Sequence, residues 1–203
     1  VPNPPSVLCI GFEDTVIQGR TVEDAVSDIL RSVGEDPDRP GLKDTPRRVA
    51  EMYRELFSGV CRDPAAELQV GFDEGHHELV VLRDIPFYSM CEHHLVPFFG
   101  SAYIGYLPNG RVVGVSKLVR AFEVLTHRPQ LQERLTTQLA DVVFSSLQAE
   151  GVAVVVNAEH LCMNMRGVQK SGTRVVTSAI RGSFGRLALG NREILSILEG
   201  TQG

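Results

Sequence analysis

Ile85-Pro86-Phe87-Tyr88-Ser89-Met90 leads without a break into Cys91-Glu92-His93-His94, and the apolar run Val96 to Leu107 follows at once. Both flanking runs are rich in the aliphatic and aromatic residues that favour strands. Downstream, Pro108-Asn109-Gly110 is a turn signal, and Arg111 to Val115 completes what reads as a hairpin with Val96 to Leu107. Upstream, Glu78 to Arg83 is a further strand. Toward the C-terminus, Gly151 to Ala158 and Thr173 to Ile180 form another pair, separated by the turn-rich segment Arg166 to Gly172. Strands that come in antiparallel pairs, rather than alternating singly with helices, give an α+β class and not a doubly wound sheet.

Helical periodicity fills the rest. Val22, Ala25, Val26, Ile29, Leu30 and Val33 share one face of a helix that Thr21 and Asp24 can cap and Gly34 can end. Thr45-Pro46 opens a second helix, with Thr45 as cap and Val49, Met52, Leu56 and Phe57 as its buried stripe. Ser116 caps a third, and Pro129 separates it from a fourth carrying Leu131, Leu135, Leu139, Val142, Val143 and Leu147 at core spacing. A short helix from Glu193 to Leu198 ends the chain. The expected organisation is a flexible arm over 1–20, a helical segment over 21–75 and a catalytic unit over 76–203.

The 203 residues carry 43% hydrophobic and 22% charged side chains, enough for a substantial core. A formal net charge of −5 argues against broad binding to nucleic acid or to anionic membranes. No apolar run approaches a membrane span, and Val1-Pro2-Asn3-Pro4-Pro5 has no secretory character, so cytoplasm is the expected location. An anionic substrate would need locally gathered Lys and Arg.

Chemistry concentrates in two places. Cys91, His93 and His94 lie within four positions, and His160-Leu161-Cys162 ends a distant strand. Zinc favours sulfur and nitrogen, and a catalytic zinc takes three protein ligands with one position open. On an extended strand His160 and Cys162 would share a face. Cys91 would share one with His93 if the chain stays extended, or converge on His94 if it turns; spacing leaves this open. A Cys91–Cys162 disulfide is a weaker alternative in a reducing compartment. Cys9 and Cys61, lacking such neighbours, read as structural, and His76 and His77 as solvated loop residues. Surplus histidines beside the ligands suit proton transfer near neutral pH, and the set reads as a zinc hydrolase.

An anion site is suggested by Ser116, Lys117 and Arg120 in the first turn of their helix, where free N–H groups already favour phosphate. Arg166, four residues past Cys162, adds a planar fork. Gln132-Glu133 reads from spacing as an exposed helix start.

Taken together, Ser89-Met90-Cys91-Glu92-His93-His94, Gly114-Val115-Ser116-Lys117-Leu118-Val119-Arg120, Arg128-Pro129-Gln130-Leu131-Gln132-Glu133-Arg134-Leu135, and His160-Leu161-Cys162 through Met165-Arg166-Gly167 resemble GTP cyclohydrolase I. Thr45-Pro46-Arg47-Arg48-Val49-Ala50 with Met52-Tyr53 also fits, and the resemblance covers residue 21 to the end. It implies the tunnelling fold, an antiparallel sheet backed by paired helices, closed by five copies into a barrel and stacked as two pentamers into a decamer with sites at subunit boundaries. It implies a zinc ion on Cys91, His94 and Cys162, which frees His93 and His160 for proton transfer. The implied reaction opens the guanine ring of GTP at C8, releases formate and rearranges the ribose to give 7,8-dihydroneopterin triphosphate, the first step of folate or pterin synthesis. By the same resemblance Glu133 grips the N–H edge of guanine, with Gln132 beside it at the substrate. Ser116, Lys117, Arg120 and Arg166 match the triphosphate site, Ser116 also lies near the ribose, and Arg48 is a further phosphate contact. Two rivals are distinguishable: a pterin aldolase or nitrile reductase of the same fold lacks this Cys/His set, and a zinc-stabilised binding module would need four protein ligands.

Overall fold

The computed structural model describes residues 19–185 and Ser196. Most of the expected arm, and all of the expected C-terminal helix except Ser196, lie outside the described residues.

Helix α1 (Val22–Ser32) starts as its sequence requires. The Thr21 hydroxyl accepts the Asp24 N–H, and the Asp24 carboxylate accepts the Thr21 N–H in return. Gly34, at φ +90°, ends it in the left-handed region that glycine enters without penalty. Helix α2 (Thr45–Leu56) begins one residue earlier than expected, so Asp44 rather than Thr45 stands at the cap. These two helices pack on each other, and only Val26 and Ala50 are buried between them. The rest of the expected apolar stripes is partly covered within one chain, Val22, Leu30, Val49, Leu56 and Phe57 being half-buried, while Ile29, Val33 and Met52 are exposed.

A short 3₁₀ turn, Pro64–Leu68, leads to β1 (Gly71–His76), a strand that straddles the boundary expected at 75/76. Its sequence, Gly71-Phe72-Asp73-Glu74-Gly75-His76, has no apolar alternation to announce it. The strands β2 (Val80–Cys91), β3 (Pro97–Leu107), β6 (Gly151–His160) and β7 (Arg174–Gly182) form an antiparallel sheet. The two-residue β5 (Pro129–Gln130) joins it in parallel beside Met90 and Cys91, giving the order β5-β2-β3-β6-β7. What reads in sequence as two strands, Glu78–Arg83 and Ile85–Met90, is one strand bent by a bulge at Asp84, whose φ is +54°.

One expected hairpin does not form. The strand β4 (Gly110–Val113) pairs with β1 rather than with β3. The reason is that β3 is already flanked along its length, Tyr106 opposite Val80 on one side and Val152 on the other. No free edge remains for β4, which leaves the sheet at Pro108-Asn109-Gly110.

Helices α3 (Val115–Thr126) and α4 (Gln132–Leu147) cover one face of the sheet. Gly114 stands at the cap of α3, so Ser116 lies inside the first turn and makes no cap bond. Leu118, Phe122, Leu125, Leu135, Leu139 and Val143 meet Phe87, Phe98 and Ile104. Along β6 the strand period sends Val152, Val154 and Val156 to this core and Ala153 and Val155 to a smaller cluster under Phe184. Among the described residues no helix is long and apolar enough to cross a membrane.

Gly59 couples the helical segment to this core. Its N–H donates to the His127 carbonyl at 3.0 Å, and a Cβ there would sit 2.1 Å from the Val124 oxygen. The obstruction is backbone, so Gly59→Ala should lower stability toward the upper part of the roughly 1–3 kcal/mol range for overpacking. An unchanged denaturation midpoint would contradict this packing.

Candidate active site

The hairpin between β2 and β3 builds the first half of the site. Cys91 donates its N–H to the Val96 carbonyl, while its own carbonyl accepts from the N–H groups of His94 and Leu95. Leu95 closes the turn at φ +49°. The chain therefore turns after Cys91 and does not stay extended, which brings His94 back over Cys91. Their Sγ and Nδ1 atoms are 3.9 Å apart.

The second half comes from the end of β6. His160 is its last residue, and the chain then coils into a single helical turn, α5 (Leu161–Asn164). His160 and Cys162 thus do not lie on one extended face, as spacing alone suggested. The helical turn carries Cys162 toward Cys91, and the ligand atoms of Cys91, His94 and Cys162 all lie within 4.8 Å of one another. Cys91 is buried, Cys162 partly buried and His94 exposed. Burial, and then the neighbouring Cys91 thiol, pushes the Cys162 thiol up from its usual range, with Arg166 pulling the other way. Two sulfurs so close would ionise together only with a cation between them. Two sulfurs and one nitrogen at this spacing fit a tetrahedral ion, and no fourth His, Cys, Asp or Glu joins the group among the described residues. That donor set suits zinc and leaves a position open.

His160 is held from several sides. Its ring stacks on Phe98, its cross-strand partner, with centroids 4.7 Å apart and planes 3° from parallel. Its Nε2 lies 2.8 Å from Oε1 of Gln132. Burial lowers its pKa, with Glu133 nearby acting in the opposite sense. Glu133 itself is exposed, but Gln132 is only 1% accessible, so the expected exposed helix start is half correct. His93 is exposed beside Glu92.

Sequence reasoning missed the supports. Arg134 donates to both oxygens of Glu92, at 2.5 and 3.2 Å, and the Glu92 N–H donates to the Gln130 carbonyl. The Cys91–His94 turn is thereby clamped to the start of α4, and the ion pair holds the Glu92 carboxyl below its usual range. The signal was present in Glu92 and Arg134, opposite charges inside two of the quoted motifs, but only the fold shows that they meet.

The basic residues divide. Arg166 acts electrostatically on Cys162 and so belongs near the cluster. Ser116, Lys117 and Arg120 lie in the first half of α3, toward the end away from the cluster. Phe122 packs on Phe87 at 5.2 Å, and Ser89 donates to the Thr126 carbonyl at 2.7 Å, so α3 runs alongside β2 in the same sense. Its last turn is the end next to Cys91. Ser116, ten residues earlier, lies roughly 15 Å back along the helix axis. Arg48 is exposed on α2, 3.7 Å from Asp44.

Comparison with known proteins identifies the family. A family model described as GTP cyclohydrolase I matches residues 22–199. The GTP cyclohydrolase 1 of Dehalococcoides mccartyi is 57% identical over 182 residues, covering 89% of this chain and 96% of the relative. Those of Geobacillus kaustophilus and Halalkalibacterium halodurans are 55% and 54% identical, each covering 88% of this chain and 95% and 96% of the relative. Among solved structures, an apo archaeosine synthase QueF-Like aligns with 51% of this chain and 93% of its own at 22% identity and a TM-score of 0.39. With a family model spanning most of its length and relatives matched almost end to end, the chain belongs to the GTP cyclohydrolase I family.

Proposed function

We propose that the chain opens the guanine ring of GTP at a composite site, one half supplied by each of two neighbouring copies. The observation that carries this reading is the group Cys91, His94 and Cys162 with His160 and Glu133 beside it, and with the phosphate-binding candidates at the far end of α3. Cys91, His94 and Cys162 would hold zinc, which supplies Lewis acidity and an activated water for attack on an electrophilic ring carbon. Glu133, exposed in the single chain, accepts the N–H edge of guanine, a polar match that discriminates strongly between bases once the base covers it. His160 and His93 move protons to and from the opening ring. Arg166 approaches the phosphates from the same chain.

Ser116, Lys117 and Arg120 complete the site from a neighbour, Ser116 at the ribose and the two cations at the triphosphate, with Arg48 as an outer contact. The products are formate and 7,8-dihydroneopterin triphosphate. Within one chain β7 is an edge strand with Val176 exposed, which supports continuation of the sheet into another copy. A decamer of two stacked pentamers provides such neighbours.

Co-expression tests the sharing. Cys91→Ser and Arg120→Ala chains, each inactive alone, should give mixed oligomers in which about a quarter of the sites are intact when the sites span a symmetric interface. Formate release from GTP near that fraction of wild type is the expected result. No recovery in verified mixed oligomers would place all the residues on one chain and overturn the composite site.

A further inference from the structure

Gln132 is the first residue of α4, where a long polar side chain is ordinarily hydrated, yet it is 1% accessible. Its amide is fully occupied. The Nε2 group lies 3.0 Å from the Val156 carbonyl, 2.9 Å from the Val175 carbonyl and 3.1 Å from the Thr177 hydroxyl. Backbone carbonyls only accept, so these contacts fix which end of the amide is nitrogen. The other end, Oε1, faces His160 Nε2 at 2.8 Å and can only accept. His160 must therefore carry a proton on Nε2.

The support continues behind the amide. The Thr136 hydroxyl donates to the backbone carbonyl of Gln132 at 2.8 Å and meets the Thr177 hydroxyl at 2.6 Å. With the Thr136 proton committed, Thr177 donates to Thr136 and turns a lone pair to Gln132 Nε2, whose two N–H bonds are shared among this hydroxyl and the two carbonyls. Every polar atom of the Gln132 amide is thus used inside the protein, on β6, β7 and the imidazole.

We propose that Gln132 is a positioning residue that fixes the ring orientation and tautomer of His160, so that His160 exchanges protons with the substrate through Nδ1 alone. Phe98 holds the ring plane, Gln132 commits Nε2, and one nitrogen remains for chemistry. This rests on the reading of His160 as a proton-transfer residue. Gln132 then influences GTP through His160 and makes no direct contact with it.

The test uses the full-length, metal-loaded enzyme labelled with [15N]histidine, with the His160 signals assigned by their loss in His160→Ala. In mildly alkaline buffer, where the imidazole is neutral, solid-state NMR should show His160 Nε2 as protonated and Nδ1 as unprotonated. Gln132→Met should mix the two tautomers and lower kcat about ten- to a hundredfold, as loss of a supporting hydrogen bond does around other catalytic sites. KM for GTP should stay near wild type. Thr177→Val, which removes one hydroxyl and little volume, should shift both readouts the same way by less. Should Gln132→Met fail to fold, the wild-type and Thr177→Val spectra decide. A proton on Nδ1 of the wild-type ring, or a Gln132→Met enzyme with raised KM and unchanged kcat, would overturn the proposal. A His160→Ala enzyme with undiminished kcat would instead remove His160 from catalysis, a separate failure that the wild-type spectrum does not share.

Discussion

Cys91→Ser is expected to lose bound metal and turnover together. Cys91 is the buried member of the trio and the anchor of the β2–β3 turn, since its backbone makes the bonds that bring His94 back. A serine hydroxyl keeps that geometry but does not ionise near neutral pH, and the site is left with one thiolate and one imidazole. Loss of the Lewis acid that the trio would hold should remove several kcal/mol of transition-state stabilisation, a fall in kcat of roughly 10³–10⁵-fold. Elemental analysis of the purified variant gives the metal content, and formate release from GTP gives the rate. Cys162→Ser should behave alike, and a chelator should reduce the wild type toward the same level. A Cys91→Ser protein with one ion per chain and normal turnover would exclude Cys91 as a ligand.

His160→Ala and His93→Ala are expected to separate the two properties, keeping the metal and losing turnover. Neither histidine belongs to the Cys91, His94 and Cys162 group, and the turn that selects His94 leaves His93 beside Glu92. Removing a general acid or base lowers kcat by about 10²–10⁴-fold. His160 is the more constrained of the pair, stacked on Phe98 and bonded to Gln132, so its loss should affect kcat with little effect on KM. His94→Ala is the contrast, and should lose metal. If His93→Ala were metal-free and His94→Ala metal-replete, the roles of the two adjacent histidines would be exchanged.

The chain's own sequence carried much of this, unevenly. Helix α1 was legible to the residue because its start is a local matter: Thr21, Asp24 and the N–H groups between them need nothing from the rest of the fold. The strand character of β2, β3 and β6 was legible from side-chain type, but their partners were not. Whether β4 joins β3 depends on β6 having taken that edge first, a fact about residues forty positions away. The site showed the same division. Spacing found both Cys/His clusters and left His93 and His94 undecided, since the choice rests on a turn that Leu95 completes at positive φ. The helical turn after His160 was hidden because the residues before it are such strong strand formers. Gln132 was misjudged from its place at a helix start, where only the depth of the fold reveals that it is buried.

The most direct measurement is zinc K-edge X-ray absorption on the purified, metal-loaded enzyme without substrate. Two sulfurs near 2.3 Å and two lighter atoms near 2.0–2.1 Å, with scattering from a single imidazole, are the expected shell if, as proposed, Cys91, His94 and Cys162 hold the ion and water takes the fourth position. A shell of four protein ligands, with a second imidazole or a third sulfur in place of the water, would contradict the open site.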